Sequence, residues 1–260
     1  MSEARPEGSP FSRKSVRLFA GAVAGLLLLG ALVGALTRGG AHPPSSGDGG
    51  STVTVPDTTL PLGKGLPTSL ASLMGLTSLH EHVAPGLVLT DQRGRRVSLS
   101  GLRGKVVLLT FLDAGCTAIC PIESAELKAA ERDLGPEAAD VEVLAVDVDG
   151  SHDSVADMAR LARLTGLTGV ATFHALAGPL PVLRAVWAAY GVQVQVDEVR
   201  GTVLYEPLLV FVNPSGRERY SATPSGFEEP NGRYVVPKDQ ISAFGQGIAR
   251  YARSLLASPA

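Results

Sequence analysis

Three short, mostly apolar runs constrain the fold of this chain most strongly. They are VVLLTFL at Val106–Leu112, VEVLAVDV at Val141–Val148 and LLVFV at Leu208–Val212. Runs of this length, rich in β-branched residues, are typical of strands that are covered on both faces of a sheet. Segments with helical patterns, such as Pro121–Leu134 and Ser154–Leu164, follow the first and the second run. Buried strands that alternate with helices predict an α/β domain of three layers around a central sheet.

Two further patterns complete the predicted domain. Leu87–Thr90 and Arg96–Ser98 flank the turn signal Asp91–Gly94, which predicts a hairpin and therefore a mixed sheet. Apolar residues within Ile241–Leu255 recur at steps of three and four, as on one face of an amphipathic helix. We place the whole domain at residues 66–258.

The N-terminal region is predicted to anchor this domain to a membrane. Leu18–Leu36 has no charged residue, and as a helix it would span roughly 28 Å, close to a bilayer core of about 30 Å. The apolar stretch of a cleaved signal peptide is usually about 7–15 residues, so a retained anchor is favoured. Basic residues are concentrated in residues 1–17, which predicts a cytoplasmic N-terminus and an extracytoplasmic domain. Residues 37–65 are rich in Gly, Ser, Thr and Pro, and they predict a flexible linker.

The overall composition argues against nucleic-acid binding. The chain of 260 residues has a net charge of −2 and only 5% aromatic residues. It therefore has neither a basic excess to hold a phosphate backbone nor many rings on which bases could stack.

The two cysteines of the chain, Cys116 and Cys120, directly follow the first apolar strand. Pro121 suits the first position of a helix, so Cys120 is predicted at the helix start and Cys116 on the loop before it. The partial positive charge of a helix N-terminus favours a thiolate and lowers the pKa of a cysteine. Open α/β sheets also place their sites at the carboxyl ends of strands. This placement predicts a redox or metal site, and an inert structural disulfide is the alternative.

The sequence around the cysteines resembles the Sco/SenC family of thioredoxin-fold proteins, which is known for copper delivery to cytochrome oxidase. CTAICP matches the family's CxxxCP, with LVLTDQRGRRVSLSGLRGKVVLLTF before it and VDVDGSHDS after it. FHALAGPLPVLRAVWAAYGV and LLVFVNPSG extend the resemblance toward the C-terminus. The resemblance implies a thioredoxin-like domain with a single membrane anchor, in which Cys116 and Cys120 exchange thiols and disulfides or bind copper.

The sequence departs from the family at the third copper ligand, a histidine that precedes the strand at Leu208–Val212. Tyr205 and Glu206 stand there instead. Tyrosine is a poor ligand for Cu(I), and a carboxylate is too hard for this soft ion. Of the histidines elsewhere in the chain, His174 and His80 are the first candidates to complete a copper site.

Two more residues near the predicted site have candidate roles. The stretch before Leu208–Val212 also resembles the thioredoxin loop whose cis-proline faces the redox cysteines, and Pro207 is the candidate for that proline. Asp113, three residues before Cys116, is either a proton acceptor for a buried thiol or a residue that caps a turn.

The sequence thus predicts a single-pass membrane protein whose extracytoplasmic thioredoxin-like domain exchanges thiols and disulfides. Cys116, on the loop, is predicted to attack, and Cys120 to resolve the mixed disulfide, although the helix dipole could reverse these roles. The expected partners are protein thiols or disulfides, including those of a cytochrome oxidase subunit during assembly of its copper site. No cofactor is required for exchange, and copper is the metal that the resemblance implies. Two alternatives stay open: a copper-binding chaperone that uses both cysteines and a third ligand, and an interaction module with a structural disulfide.

Overall fold

The protein is represented by a computed structural model that describes residues 69–116, 119–151, 153–197, 202–224, 227–228 and 234–258. Within these ranges, no helix is long and apolar enough to cross a membrane. The predicted cytoplasmic segment at 1–17, the anchor at 18–36 and the linker at 37–65 lie outside the described residues.

The described residues form short strands and five α-helices. The strands are β1 (Thr77–Ser78), β2 (Val88–Asp91), β3 (Arg96–Ser98), β4 (Val106–Leu112), β5 (Val141–Asp147), β6 (Phe173–Ala177), β7 (Gln195–Asp197), β8 (Thr202–Leu204), β9 (Leu209–Val212), β10 (Glu218–Ala222), β11 (Phe227–Glu228) and β12 (Tyr234–Val235). The α-helices are α1 (Leu70–Leu73), α2 (Cys120–Leu134), α3 (Val155–Leu164), α4 (Leu180–Ala189) and α5 (Lys238–Leu256).

Eight of the strands form one mixed sheet, as predicted. Their order is β1-β10-β9-β4-β5-β6-β2-β3. The pairs β4–β5 and β5–β6 are parallel, and the remaining neighbours are antiparallel. Val106 lies opposite Val141 and Leu112 lies opposite Asp147, so β4 and β5 end at the same edge of the sheet. The predicted hairpin is confirmed in β2 and β3.

Helices cover both faces of the sheet, which confirms the three-layer prediction. Because strand residues alternate between faces, Leu108 and Leu112 of β4 pack in one cluster with α2, α3 and α5. Leu109 and Phe111 pack in the other cluster, with Leu183, Val186 and Trp187 of α4. Every residue of β4 and β5 is buried, because both faces of these central strands are covered.

Helices α2 and α5 approach each other closely at a glycine. A Cβ atom added to Gly245 of α5 would clash with the side chain of Ala129 and lie 2.9 Å from the backbone N of Ala130. Contact this close needs a residue without a side chain on one helix. The packing holds α2, and therefore the cysteine at its start, firmly against the rest of the domain.

Candidate redox site

Cys116 and Cys120 form a disulfide at the carboxyl end of β4. Their Cα atoms are 5.9 Å apart. Cys120 is the first residue of α2, with Pro121 next to it, and Cys116 lies on the loop before the helix, as predicted. The backbone N–H of Cys120 donates to the Sγ atom of Cys116 across 3.2 Å. The two cysteines differ in exposure: Cys120 is fully buried, whereas Cys116 is partly exposed.

Asp113 shapes the loop between β4 and the disulfide. Its Oδ1 atom accepts a hydrogen bond of 2.6 Å from the backbone N–H of Gly115, and its carbonyl oxygen accepts one of 3.1 Å from the N–H of Cys116. This is the turn-capping role that was one of the two predicted for Asp113. The turn sets where Cys116 leaves the sheet.

Tyr205 lies against the buried sulfur. Its hydroxyl is 3.4 Å from the Sγ atom of Cys120, and either group can be the donor when the cysteine is reduced. Burial raises the pKa of the Tyr205 hydroxyl well above its usual value, and the carboxyl groups of Glu123 and Asp113 raise it further. The phenol therefore stays protonated beside the sulfur.

Two buried glutamates follow Cys120 along α2. Glu123 is 3% exposed, and neither of its carboxyl oxygens has a hydrogen-bond partner among the described residues. Burial raises the pKa of Glu123 well above its usual value, and repulsion from Glu126 adds to the effect. Glu126 is 2% exposed, and burial raises its pKa to about 8. Both side chains line a small cavity, together with Thr110 of β4 and Phe244 of α5.

Asp147, the last residue of β5, adds a further acidic group at this edge of the sheet. It is fully buried, and its Oδ1 atom accepts a hydrogen bond from the N–H of Asp149 across 3.0 Å. Burial raises the pKa of Asp147 to about 8, and repulsion from Asp149 and Asp113 adds to the increase. The hydrogen bond from Asp149 lowers the pKa but does not offset these effects. Three buried carboxyl groups at this end of the domain, those of Glu123, Glu126 and Asp147, therefore resist ionisation.

The sequence interpretation did not identify Glu123, Glu126 or Asp147 as site residues. Acidic residues in a helix are usually solvated, so composition gave no reason to expect buried ones. The helical spacing offers a signal, because Glu123 is three residues from Cys120 and therefore on the same face of α2.

The first of the two candidate third ligands, His174, lies away from the cysteines, toward the opposite edge of the sheet. Nδ1 of His174 is 3.1 Å from Oδ2 of Asp91, and its Nε2 is 3.0 Å from Oε2 of Glu142. Glu142 is near the start of β5, and the cysteines lie beyond the other end of the neighbouring β4, so roughly 17 Å of strand separates the two edges. His174 is thus held between two carboxyl groups, and the described fold does not bring this candidate ligand to the cysteines.

His80 is also far from the cysteines. It is exposed, and its neighbour Leu79 donates a backbone hydrogen bond to Arg219 near the start of β10. That end of β10 pairs with Val212, which lies beside the start of β4 rather than beside its end. The proposal of His80 as a copper ligand is therefore not supported by the fold. In the described ranges, no group of three or more His, Cys, Asp or Glu side chains is arranged to hold a metal ion.

The Glu206–Pro207 peptide bond is trans, because no described peptide bond is cis. This corrects the predicted cis-proline. Residues 205–208 form no turn, and the tight turns that usually select a cis bond are therefore missing here. The segment is held at its end, where Oγ1 of Thr110 donates to the carbonyl oxygen of Leu208 across 2.9 Å. Tyr205 and Pro207 instead line a groove of about 600 Å³.

The comparison with protein families matches the model described as SCO1/SenC to residues 77–224. The chain belongs to the SCO1/SenC family. The SCO1 protein homolog of Bacillus subtilis (strain 168) is 32% identical over 72 residues, which are 28% of this chain and 37% of that protein. The alignment thus spans little more than a third of the length of this curated relative.

Solved structures of the family share the fold of the domain. A SCO1/SenC family lipoprotein from Bacillus anthracis str. Ames has a TM-score of 0.55 at 18% identity, with 69% of this chain and 97% of that chain covered. Apo Sco1 from Thermus thermophilus has a TM-score of 0.53 at 24% identity, with 70% and 96% covered. Copper-bound ScoI from Bradyrhizobium japonicum has a TM-score of 0.51 at 20% identity, with 67% and 99% covered.

The residues present fit copper only in part. Two thiolates are good donors for Cu(I). The third group beside them is the Tyr205 phenol, 3.4 Å from Cys120, and a phenol that keeps its proton is a poor ligand for a soft ion. Cu(II) prefers an imidazole nitrogen as a donor, and among the described residues no histidine joins the two cysteines in a group that could hold a metal ion. The donor set therefore lacks the Cys–Cys–His combination expected from the resemblance.

Proposed function

We propose that this protein is a membrane-anchored, extracytoplasmic member of its family that exchanges thiols and disulfides through Cys116 and Cys120. The observation that carries the proposal is a disulfide between a partly exposed cysteine, Cys116, and a fully buried one, Cys120, whose sulfur lies against a phenol. An accessible sulfur beside a buried one suits exchange in two ordered steps, because a partner reaches only the first.

The two steps are the same in both directions. In the direction that reduces the domain, a partner thiolate attacks the Sγ atom of Cys116 in the oxidised domain, the Cys116–Cys120 bond breaks, and Cys120 is the leaving group. The second thiolate of the partner then attacks the mixed disulfide and releases Cys116. In the direction that oxidises the domain, the Cys116 thiolate of the reduced domain attacks a partner disulfide and releases one partner thiolate, and Cys120 then attacks Cys116 of the mixed disulfide and releases the other partner thiolate. The start of α2 favours negative charge on sulfur in either direction.

The proposed partners are cysteine pairs of proteins outside the cytoplasm. An oxidising compartment tends to convert such pairs to disulfides. A domain that reduces them would keep the copper-site cysteines of a respiratory oxidase ready for metal, which is the role that membership of this family suggests. Exchange needs no bound cofactor, because both sulfur atoms belong to the chain.

Single-cysteine variants test the proposal and the assigned roles. We expect reduced Cys120→Ser to react rapidly with 5,5′-dithiobis(2-nitrobenzoic acid) and to retain the mixed disulfide on Cys116. Reduced Cys116→Ser, which keeps only the buried sulfur, should react much more slowly. The reverse order of rates would reverse the roles. A wild-type domain whose disulfide forms but does not react with thiols would instead indicate an interaction module with a structural disulfide.

Copper carriage is the second candidate function, and the adjacent sulfur atoms in a SCO1/SenC domain are the observation that favours it. Titration of the reduced domain distinguishes the two candidates. We expect Cu(I) binding without the strong thiolate–Cu(II) absorption of a complete site, and we expect Tyr205→His to raise Cu(II) affinity. Tight, stoichiometric Cu(II) binding by the wild-type domain would favour copper carriage.

A further inference from the structure

The groove of about 600 Å³ that Tyr205 lines is continuous with the redox site. The Tyr205 hydroxyl lies 3.4 Å from the Sγ atom of Cys120, so one lining residue of the groove touches the disulfide. The rest of the lining comes mainly from residues after α4 and from the segment that joins β8 to β9. A partner whose cysteine reaches the disulfide therefore has the groove beside it.

Contacts with the rest of the domain hold the lining of this groove in place. The Tyr190 hydroxyl donates a hydrogen bond of 2.8 Å to the carbonyl oxygen of Pro85, and its ring lies 6.0 Å from that of Phe111. Leu208 is held through its carbonyl oxygen, which accepts the bond of 2.9 Å from Thr110. A groove that is already formed binds a segment with a smaller loss of conformational entropy.

The lining suits an extended peptide segment. Gln195 of β7 and Leu204 of β8 are cross-strand partners, so one face of this hairpin lines the groove. Leu204 is 55% exposed and offers an apolar contact. The side-chain amides of Gln193 and Gln195 are donors and acceptors that match the peptide groups of a bound backbone. Apolar surface with a few polar groups is typical of a binding groove.

Glu206 gives the groove its charge. It is exposed, and among the described residues it is the only charged one that lines the groove. Within the same described ranges, no basic side chain forms an ion pair with it. Because no lining cation compensates this negative charge, a bound segment with a positive charge is attracted and one with a negative charge is repelled.

We propose that the groove binds the extended segment around the reactive cysteine of the partner, and that Glu206 selects segments with a lysine or arginine beside that cysteine. This selection rests on the thiol–disulfide exchange described above, and it specifies the chemistry of the partner. Glu206 acts on binding and takes no part in the transfer between sulfur atoms.

Two nine-residue peptides test this selection. Each has one central cysteine, activated as the 2-pyridyl disulfide, and the two differ only in having lysine or glutamate on both sides of it. The reduced full-length protein, in a neutral detergent at low ionic strength, attacks the peptide sulfur and releases pyridine-2-thione, which is followed by absorbance. The readout is the rate with the lysine peptide divided by the rate with the glutamate peptide. The intrinsic reactivity of the peptides cancels when this ratio is compared between variants.

Glu206→Gln should lower the ratio about fivefold, which is the upper range for one exposed charge pair. Glu206→Lys should lower it further, because it also attracts the glutamate peptide. High salt should remove most of the difference between wild type and variants, because the pair is exposed. Asp140→Lys is the matched control: it reverses an exposed acidic residue just before β5, away from the cysteines, and should leave the ratio unchanged.

A photoreactive lysine peptide with serine in place of cysteine locates the binding site. Its crosslinks should map to residues 190–195 or 204–208. The selection is overturned if Glu206→Lys keeps the wild-type ratio, if Asp140→Lys lowers it equally, or if the crosslinks lie elsewhere or join two copies of this chain. A reduced protein that releases pyridine-2-thione from neither peptide would refute the exchange function itself, which separates that failure from failure of the selection.

Discussion

Raising the pH from 5 to 7.5 should lower the free energy of unfolding of the domain. Glu126→Gln should remove the part of this decrease that comes from ionisation of Glu126. Burial raises the pKa of Glu126 from 4.5 to about 8. In the unfolded chain the same group titrates near its ordinary value. Because the folded pKa is the higher one, the stability that the neutral carboxyl group provides is complete below the unfolded pKa. It is lost as the pH rises toward 8.

The size of the effect follows from the two pKa values. Between them, one group lowers the free energy of unfolding by about 1.4 kcal/mol for each pH unit. From pH 5 to pH 7.5 the loss is about 3 kcal/mol, which corresponds to roughly 6–12 °C in Tm for a domain of this size. Glutamine has nearly the same shape and does not titrate, so the variant does not suffer this part of the loss.

Urea unfolding of wild type and Glu126→Gln at both pH values measures the difference. We expect the variant to gain about 3 kcal/mol relative to wild type between pH 5 and pH 7.5. Asp147, which also has a raised pKa, is present in both proteins, so its contribution cancels. Glu131→Gln, at a less buried position of the same helix, is the control and should leave the pH dependence unchanged. Parallel pH profiles for wild type and Glu126→Gln would refute the reasoning.

Gly245→Ala should lower the free energy of unfolding, because the added methyl group would press on the backbone of Ala130 at a cost of about 1–3 kcal/mol. This cost exceeds the gain in helix propensity of alanine over glycine. Gln246→Ala, at the exposed neighbouring position, is the control and should change stability little. His174→Gln should destabilise the domain by about 1–3 kcal/mol without altering the rate of thiol exchange, and a slower exchange would contradict its placement at the far edge. Thiol trapping of the aerobically purified domain should leave both cysteines unlabelled until a reductant is added. The full-length protein should be found in the membrane fraction with its N-terminus intact, whereas a new N-terminus near Ala41 would indicate a cleaved signal peptide.

Tyr205 is the residue at which this chain departs most informatively from its family. The family resemblance places a copper-binding histidine at Tyr205 or Glu206, and the structure places the protonated phenol of Tyr205 against the buried sulfur. The exchange of an imidazole for a phenol removes a metal donor and adds a hydrogen-bond donor. A phenol in this place is a weaker donor for copper than the imidazole that the resemblance implies.

The sequence alone was sufficient for the layers of the fold and for the position of the disulfide. Continuous apolar strands such as β4 have to be covered on both faces, so the three-layer arrangement follows from burial alone. Pro121 marks the start of a helix through its fixed backbone angle and its missing N–H, and this local rule placed Cys120 correctly. Both inferences depend only on neighbouring residues, which a sequence displays directly.

The surroundings of the disulfide were decided by the tertiary structure. Which histidine is near the cysteines depends on the order and direction of strands, and these put His174 at the opposite edge of the sheet. The ionisation of Glu123 depends on how closely α2 is covered by the sheet and by α5, which no local pattern reveals. The contact between Tyr205 and Cys120 joins residues 85 positions apart. Such contacts arise from the packing of distant segments, and burial then changes the chemistry of each group by removing water from it.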